Sequence, residues 1–209
     1  MKKILHVRCS PRGQASESDR LAQKIIGFLQ QNEPSTTVLN RFVGGGALAH
    51  IDEHYAGVLG GTIDPDTGDT SHCRTIGASD GLIEELERAD IVVIGTPMHN
   101  FTVPSSLKAW IDHIVRVHRT FAVTPEGKVG KLPDRPVFVA VSSGGRYSGE
   151  RARQPDFLTP YLSAILATVG LRNLVFFSVE GTALGPDALN EARNRADEAL
   201  QGYFSPVRV

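Results

Sequence analysis

Two stretches of this chain are apolar at every position, and each leads through a loop toward a helical pattern. They are residues 91–94, Ile-Val-Val-Ile, and residues 137–141, Val-Phe-Val-Ala-Val. Strands without an apolar–polar alternation are typical of the centre of a parallel sheet. This feature favours folds in which helices pack on both sides of a parallel sheet.

Three further segments predict strands, and helical patterns separate the five strands from one another. The additional strands are residues 4–7, a weaker strand at 36–42, and residues 174–179. The helical patterns are a first helix with Leu21, Ile25, Phe28 and Leu29 on its buried face, a helix from Ser79-Asp80, a helix from Pro104, and helices at about 156–169 and 186–203. This alternation predicts an α/β protein with a doubly wound, five-stranded parallel sheet of order 2-1-3-4-5, in three layers α/β/α.

The segment at about 44–78 differs from the rest of the chain. It is rich in glycine and polar turn residues and has too few apolar residues for a core of its own. We therefore interpret residues 1–209 as a single domain with a loop-rich insertion at 44–78, which contains a short helix at 52–59. The His72-Cys73 pair could form half of a metal site, but no second His/Cys cluster lies at zinc spacing, so we expect no metal.

Composition excludes several classes of partner. The formal net charge of −1 implies no strongly basic face, so nucleic acid is not an expected partner. The two cysteines cannot form a disulfide framework. The chain has no run of about 20 apolar residues, and the apolar start at 4–7 is too short for a signal peptide. We expect a cytoplasmic protein with no membrane partner.

In doubly wound sheets, ligands bind beyond the carboxyl ends of the strands, near the switch point between strands one and three. The loop after the first strand, residues 10–18, leads into a helix N-terminus, where free N–H groups favour a phosphate. The hydroxyls of Ser10, Ser16 and Ser18 can add hydrogen bonds. The loop lacks the G-x-G-x-x-G and Walker patterns, and a plain serine-rich helix cap is the alternative interpretation.

The loop after the third strand, residues 96–104, is the most specific of the three. Two prolines stiffen its path, and between them lie Met98, His99, Asn100 and Phe101. A planar heteroaromatic ligand needs such a surface, with apolar atoms against its face and amide groups at its edge. In the alternative interpretation, Met98 and Phe101 are core residues and Asn100 is a turn residue.

The loop after the fourth strand consists of Ser142, Ser143, Gly144 and Gly145. Its backbone N–H groups could approach a ligand closely and stabilise negative charge on it. The two glycines could also simply form a turn.

Together these segments resemble the FMN-dependent NADH-azoreductase family, whose members also act as quinone reductases and have a flavodoxin-like fold. The resemblance rests on Ser10-Pro11-Arg12 with Ser16-x-Ser18, on residues 97–101 and 107–112, and on Thr120-Phe121 and residues 160–162. It implies a homodimer with one FMN per subunit near the interface. It also implies a ping-pong reaction, in which NADH or NADPH gives a hydride to the flavin before a quinone or azo compound takes the electrons.

The resemblance also assigns expected roles by position. The phosphate would be held by Ser10, Ser16, Glu17 and Ser18. The flavin ring would be contacted by Pro97, Met98, His99, Asn100 and Phe101. The polar edge of the ring would be contacted by Ser142, Ser143, Gly144 and Gly145.

The chain departs from the family pattern at three positions near the expected ring or substrate cavity. His99 and Val123 replace tyrosines, and Ser143 replaces an arginine. Backbone contacts to FMN do not depend on these side chains, so the departures bear on substrate preference and on the choice between NADH and NADPH. His99 could donate a proton to the substrate and Tyr147 could donate to the ring edge; alternatively, each is an exposed loop residue without a catalytic role.

Two other functions remain open at the level of sequence. A flavodoxin-like electron carrier would bind FMN but pass electrons to a protein partner, although the near-neutral charge and the expected dimer argue against it. A hydrolase on a similar fold would need a nucleophile motif, and no G-x-S-x-G elbow is present.

Overall fold

A computed structural model describes residues 1–60 and 73–205 of the chain. Within these ranges, at least one helix separates each strand of the main sheet from the next strand of that sheet along the chain. The elements are β1 (Lys3–Arg8), α1 (Glu17–Asn32), β2 (Thr37–Phe42), α2 (Glu53–Leu59), α3 (Cys73–Arg88), β3 (Ile91–Pro97), α4 (Ser105–Ile114), β4 (Phe121–Thr124), β5 (Gly127–Gly130), β6 (Val137–Ser143), α5 (Leu158–Val169), β7 (Leu174–Glu180) and α6 (Pro186–Phe204).

The main sheet has five parallel strands in the order β2-β1-β3-β6-β7. This is the predicted 2-1-3-4-5 order, because β6 and β7 are the fourth and fifth strands of this sheet. β6 is buried at every position and β3 at all but its last residue, Pro97. The two wholly apolar runs therefore occupy the centre of the sheet, as predicted.

Two apolar cores lie on opposite faces of the sheet and give three layers. One core joins side chains of the sheet, among them Val92, to α3, α4 and α5, where Trp110 is fully buried. The other joins Val93 and Phe138 to α1 and α6. The predicted α/β/α arrangement is confirmed, and it places the carboxyl ends of β1, β3 and β6 side by side.

Helix α3 begins at Cys73, so the predicted start at Ser79-Asp80 is wrong. Ser79 is fully buried within the helix, and its hydroxyl donates a hydrogen bond of 2.7 Å to the carbonyl oxygen of His113 in α4. Serine is common at helix N-caps, but here the Ser79 hydroxyl joins two helices.

The short helix expected at 52–59 is confirmed as α2. The Asp52 carboxylate accepts a hydrogen bond of 2.8 Å from the Tyr55 N–H.

Sequence reasoning did not predict the antiparallel hairpin formed by β4 and β5. Its strands have four residues each and are largely exposed, so they lack the apolar signal of the main sheet.

In the part of the chain that the structure describes, no helix is long and apolar enough to cross a membrane. The division into a single domain with an insertion at 44–78 stays a prediction.

Candidate functional site

A cleft of about 380 Å³ opens at the carboxyl ends of β1, β3 and β6. This volume lies within the range of small-molecule sites. Eight of the residues predicted for a cofactor site line it: Ser10, Ser16, Glu17, Pro97, Met98, His99, Ser142 and Gly144. Five lining residues were not predicted as site residues: Pro11, Arg12, Ala15, Thr182 and Leu189. The three loops singled out in the sequence therefore form one cavity. They are called the first loop (residues 10–18), the second loop (residues 96–104) and the third loop (residues 142–145).

The first loop presents an uncapped helix N-terminus to this cleft. Ser16 occupies the N-cap position of α1, but its hydroxyl pairs with the hydroxyl of Ser18 at 2.8 Å instead of capping the helix. The first intrahelical bond runs from the Arg20 N–H to the Ser16 carbonyl, and within the described residues the N–H groups of positions 17–19 have no acceptor. Unused donors and the positive end of the helix dipole make this end of the cleft fit for an anion.

Charged side chains surround the first turn of α1. The Glu17 carboxylate accepts hydrogen bonds from Arg20 and from Arg193 of α6, and these bonds hold the pKa of Glu17 below its usual range. Any contact of Glu17 with a ligand would therefore come from its backbone. Asp19 accepts two hydrogen bonds from Arg8, at 2.7 and 3.1 Å. Arg12 lines the cleft, and its guanidinium has no partner within the described residues.

The second loop turns sharply beside the cleft. His99 and Thr102 exchange backbone hydrogen bonds of 2.9 and 3.0 Å, and Asn100 and Phe101 between them have φ of 48° and 70°. Two consecutive positive φ values define a type I′ turn, which is strained for phenylalanine. The turn directs Met98 and His99 to the cleft, whereas Asn100 and Phe101 lie at its exposed apex and do not line it.

The third loop contributes Ser142 and Gly144 to the lining, whereas Ser143 is buried behind it. Within the described residues, the N–H groups of Gly144 and Gly145 have no acceptor, so Gly144 leaves a donor free at this end of the cleft as well. Gly145 itself does not line the cleft and packs against the Gln154 side chain. Gln154 was not predicted from the sequence. Its amide donates to the Ser143 hydroxyl at 3.1 Å and lies 3.1 Å from the Met98 sulfur, which joins the second and third loops.

The two residues predicted to be catalytic lie in different places. His99 is exposed at the cleft. Tyr147 does not line it: its backbone N–H donates to Glu180 at 2.7 Å, its ring packs against the core, and burial raises its pKa. Ser18 is also buried outside the lining.

A metal site is not evident in the described part of the chain, where no cluster of three or more His, Cys, Asp or Glu could hold an ion. Nothing is established about the His72-Cys73 pair, because His72 and the Cys73 side chain lie outside the described residues.

Comparison with known proteins identifies the family. A family model described as a flavodoxin-like fold matches residues 2–204. An FMN-dependent NADH:quinone oxidoreductase of Pseudomonas fluorescens is 45% identical over 209 residues, which span 99% of this chain and 98% of that protein. The chain belongs to the flavodoxin-like family of FMN-dependent NADH:quinone oxidoreductases. A second member of this family, from Burkholderia lata, is 45% identical over 201 residues and 96% of both chains.

Two solved structures of azoreductases have a similar fold. An azoreductase from Bacillus anthracis superposes with a TM-score of 0.83 over 98% of this chain and 99% of its own, at 24% identity. An FMN-dependent NADH-azoreductase from the same species, in complex with FMN, has a TM-score of 0.78 over 98% and 100% of the two chains, at 22% identity. At this level of identity, the likeness concerns the fold alone.

Proposed function

We propose that this chain is an FMN-dependent NADH:quinone oxidoreductase that reduces quinones and aromatic azo compounds by two-electron transfer. The observation that carries the proposal is the cleft at the switch point of the sheet, which has unused backbone donors at both ends. The relatives named as FMN-dependent NADH:quinone oxidoreductases, 45% identical over nearly the whole chain, support the same function.

The phosphate of FMN fits the end of the cleft that is formed by the first loop. The N–H groups at positions 17–19 and the hydroxyls of Ser10 and Ser16 would donate to it, and Arg12 would add positive charge. A dianionic phosphate at a helix N-terminus is stabilised by these donors and by the helix dipole. Ser18 would act through its hydrogen bond with Ser16.

The ring of FMN fits the end of the cleft that is formed by the second and third loops. Met98 offers an apolar surface, and the backbone N–H groups of Gly144 and Gly145 are free to donate to the polar edge of the ring. Pro97 and Ser142 complete this wall, and Asn100, Phe101 and Ser143 would hold the loops in shape from outside the lining.

When bound, FMN would supply the redox chemistry, taking a hydride from the nicotinamide and passing two electrons to the acceptor. The chain would orient the ring and stabilise negative charge at its polar edge. His99 stands at the rim with its imidazole exposed, where it could donate a proton to a reduced quinone or azo nitrogen. Tyr147 would support the third loop from the side of the core.

A homodimer fits the apolar side chains that this structure leaves exposed. Phe101 and Phe157 are 44% and 60% exposed, and the Phe157 N–H donates to the Phe101 carbonyl oxygen, so the two residues are neighbours beside the second loop. Exposed apolar groups of this kind are typical of protein interfaces. The relatives are named as NADH:quinone oxidoreductases, which supports NADH as a donor, and the choice between NADH and NADPH is left to the assay below. A cytoplasmic location stays a prediction.

A steady-state assay tests the function. We expect the purified protein with FMN to oxidise NADH when a benzoquinone is added, and more slowly when an azo dye is added; NADPH in place of NADH measures donor preference. Bound FMN without quinone or azo turnover by either nicotinamide would contradict the enzyme and favour the electron carrier.

A further inference from the structure

The first turn of α1 carries two carboxylates, Glu17 and Asp19, at the place where an anion is expected. Glu17 lines the cleft itself. Acidic residues in a first helical turn stabilise the helix, but they repel a phosphate that binds at the same N-terminus. A phosphate monoester carries about −1.5 to −2 charges at pH 7, so this repulsion is not small. The site needs a way to neutralise these carboxylates.

Arginines from other parts of the fold pair with both carboxylates. Arg8 of β1 holds Asp19 through two hydrogen bonds. Arg193 of α6 holds Glu17 through two hydrogen bonds, one of them 3.0 Å from Nε to Oε2, across 176 positions of sequence. Arg20, on the same helix as Glu17, donates to the same Oε2 at 2.9 Å. The Glu17 carboxylate is therefore held between Arg193 of α6 and Arg20 of its own helix.

Arg193 is placed to act on the cleft without forming part of its lining. Leu189 lines the cleft and lies four residues before Arg193 on α6, so the two side chains occupy the same face of that helix. The Arg193 side chain is 36% exposed and that of Glu17 is 17% exposed. A change at Arg193 therefore perturbs charge beside the cleft and leaves the apolar core intact.

We propose that Arg193 is a positioning residue that neutralises Glu17 and thereby lets the cleft accept the phosphate of FMN in preference to riboflavin, which lacks it. The inference rests on the proposed FMN function. Helix α6 thereby takes part in cofactor selection, because Arg193 keeps the Glu17 carboxylate paired and away from the N–H groups at the start of α1. Arg20 retains part of this pairing when Arg193 is absent.

The test compares the affinity of the apoprotein for FMN and for riboflavin, measured by quenching of flavin fluorescence. For Arg193→Ala we expect FMN affinity to fall about fivefold or more at low salt, and riboflavin affinity to change by less than about twofold. Arg195→Ala is the matched control, because Arg195 is on the same helix and pairs with Glu191, away from α1. It should leave both affinities unchanged.

A second variant separates neutralisation from a direct contact. In Arg193→Ala combined with Glu17→Gln no carboxylate remains at position 17, and Asp19 stays paired with Arg8, so FMN affinity should return to within about twofold of the wild-type value. No recovery in this double variant would overturn the inference, as would equal losses of FMN and riboflavin in Arg193→Ala. A wild-type protein that binds no FMN would instead refute the proposed function.

Discussion

Gly44, in the loop after β2, packs directly against the backbone of Ser10 in the first loop. A Cβ on Gly44 would lie 2.7 Å from the carbonyl oxygen of Ser10 and 2.9 Å from its carbonyl carbon. On another side, the Ser106 hydroxyl of α4 donates to the Cys9 carbonyl at 3.1 Å. The first loop is thus held by its neighbours. The Ser10 backbone leaves no room for a side chain at Gly44.

Replacing Gly44 with alanine should therefore displace the first loop. We expect Gly44→Ala to destabilise the protein by about 1–3 kcal/mol, as other overpacked positions do, and to weaken FMN binding. Urea unfolding and FMN titration measure the two effects. Gly27→Ala is the control: Gly27 lies within α1 with nothing within 4 Å of its added Cβ, and the change should stabilise the protein by about 0.5–1 kcal/mol. Equal behaviour of the two variants would contradict this packing account.

The serine hydroxyls at the start of α1 should matter for the phosphate. Replacing Ser16 and Ser18 together with alanine should weaken FMN binding by about 1–3 kcal/mol, with Ser16→Ala alone giving most of the loss because only Ser16 lines the cleft. Ser163→Ala, on the exposed side of α5, is the matched control. The assignment fails if the double variant binds FMN as tightly as the wild type.

His99 and Tyr147 should differ in their effect on turnover. His99→Gln removes an exposed imidazole at the cleft and should lower kcat for quinone reduction while FMN affinity stays within about twofold. Tyr147→Phe removes a hydroxyl outside the cleft lining and should leave kcat nearly unchanged. Single-turnover kinetics of the reductive and oxidative halves show which half is affected. A larger loss in Tyr147→Phe than in His99→Gln would reverse the assignment.

Stability should decline in mild acid because of His6. His6 is fully buried in β1, and burial lowers its pKa below 6.5 despite a 3.0 Å hydrogen bond to Asn40 and the nearby Asp19 carboxylate; Arg8 lowers it further. As the pH falls below about 6.5, the unfolded chain binds a proton that the folded chain does not, so the contribution of His6 falls by up to about 1.4 kcal/mol per pH unit.

The measurement is the urea midpoint at pH 7.5 and pH 5.5. His6→Gln should lose less stability across this range than the wild type, whereas His50→Gln, at an exposed position, should behave as the wild type does. An unchanged pH dependence in His6→Gln would show that other groups cause the acid effect.

The architecture was predictable because its central strands are buried on both faces. Runs such as 91–94 have no polar residue, and a parallel sheet that is covered on both faces accommodates them at its centre. The start of α3 was not predictable, since the bond from Ser79 to His113 depends on tertiary contact between two helices. The hairpin of β4 and β5 escaped prediction because its short, exposed strands carry little apolar pattern.

The site was predictable at the level of loops and less so at the level of side chains. Topology alone brings Ser16, Met98 and Gly144 into one cleft. The type I′ turn that keeps Phe101 out of the lining depends on local backbone geometry, and Gln154 is brought to Met98 by a loop without a distinctive motif. The pairing of Glu17 with Arg193 spans nearly the whole chain, so no local signal in the sequence could have indicated it.

In the proposed function, one cleft holds FMN between the first, second and third loops. A crystal structure of the protein grown with FMN tests this most directly. We expect one FMN per chain, with its phosphate at the N-terminus of α1 beside Ser16 and its ring against Met98 with its polar edge toward Gly144. FMN bound elsewhere, or bound with its phosphate toward Gly144, would contradict it.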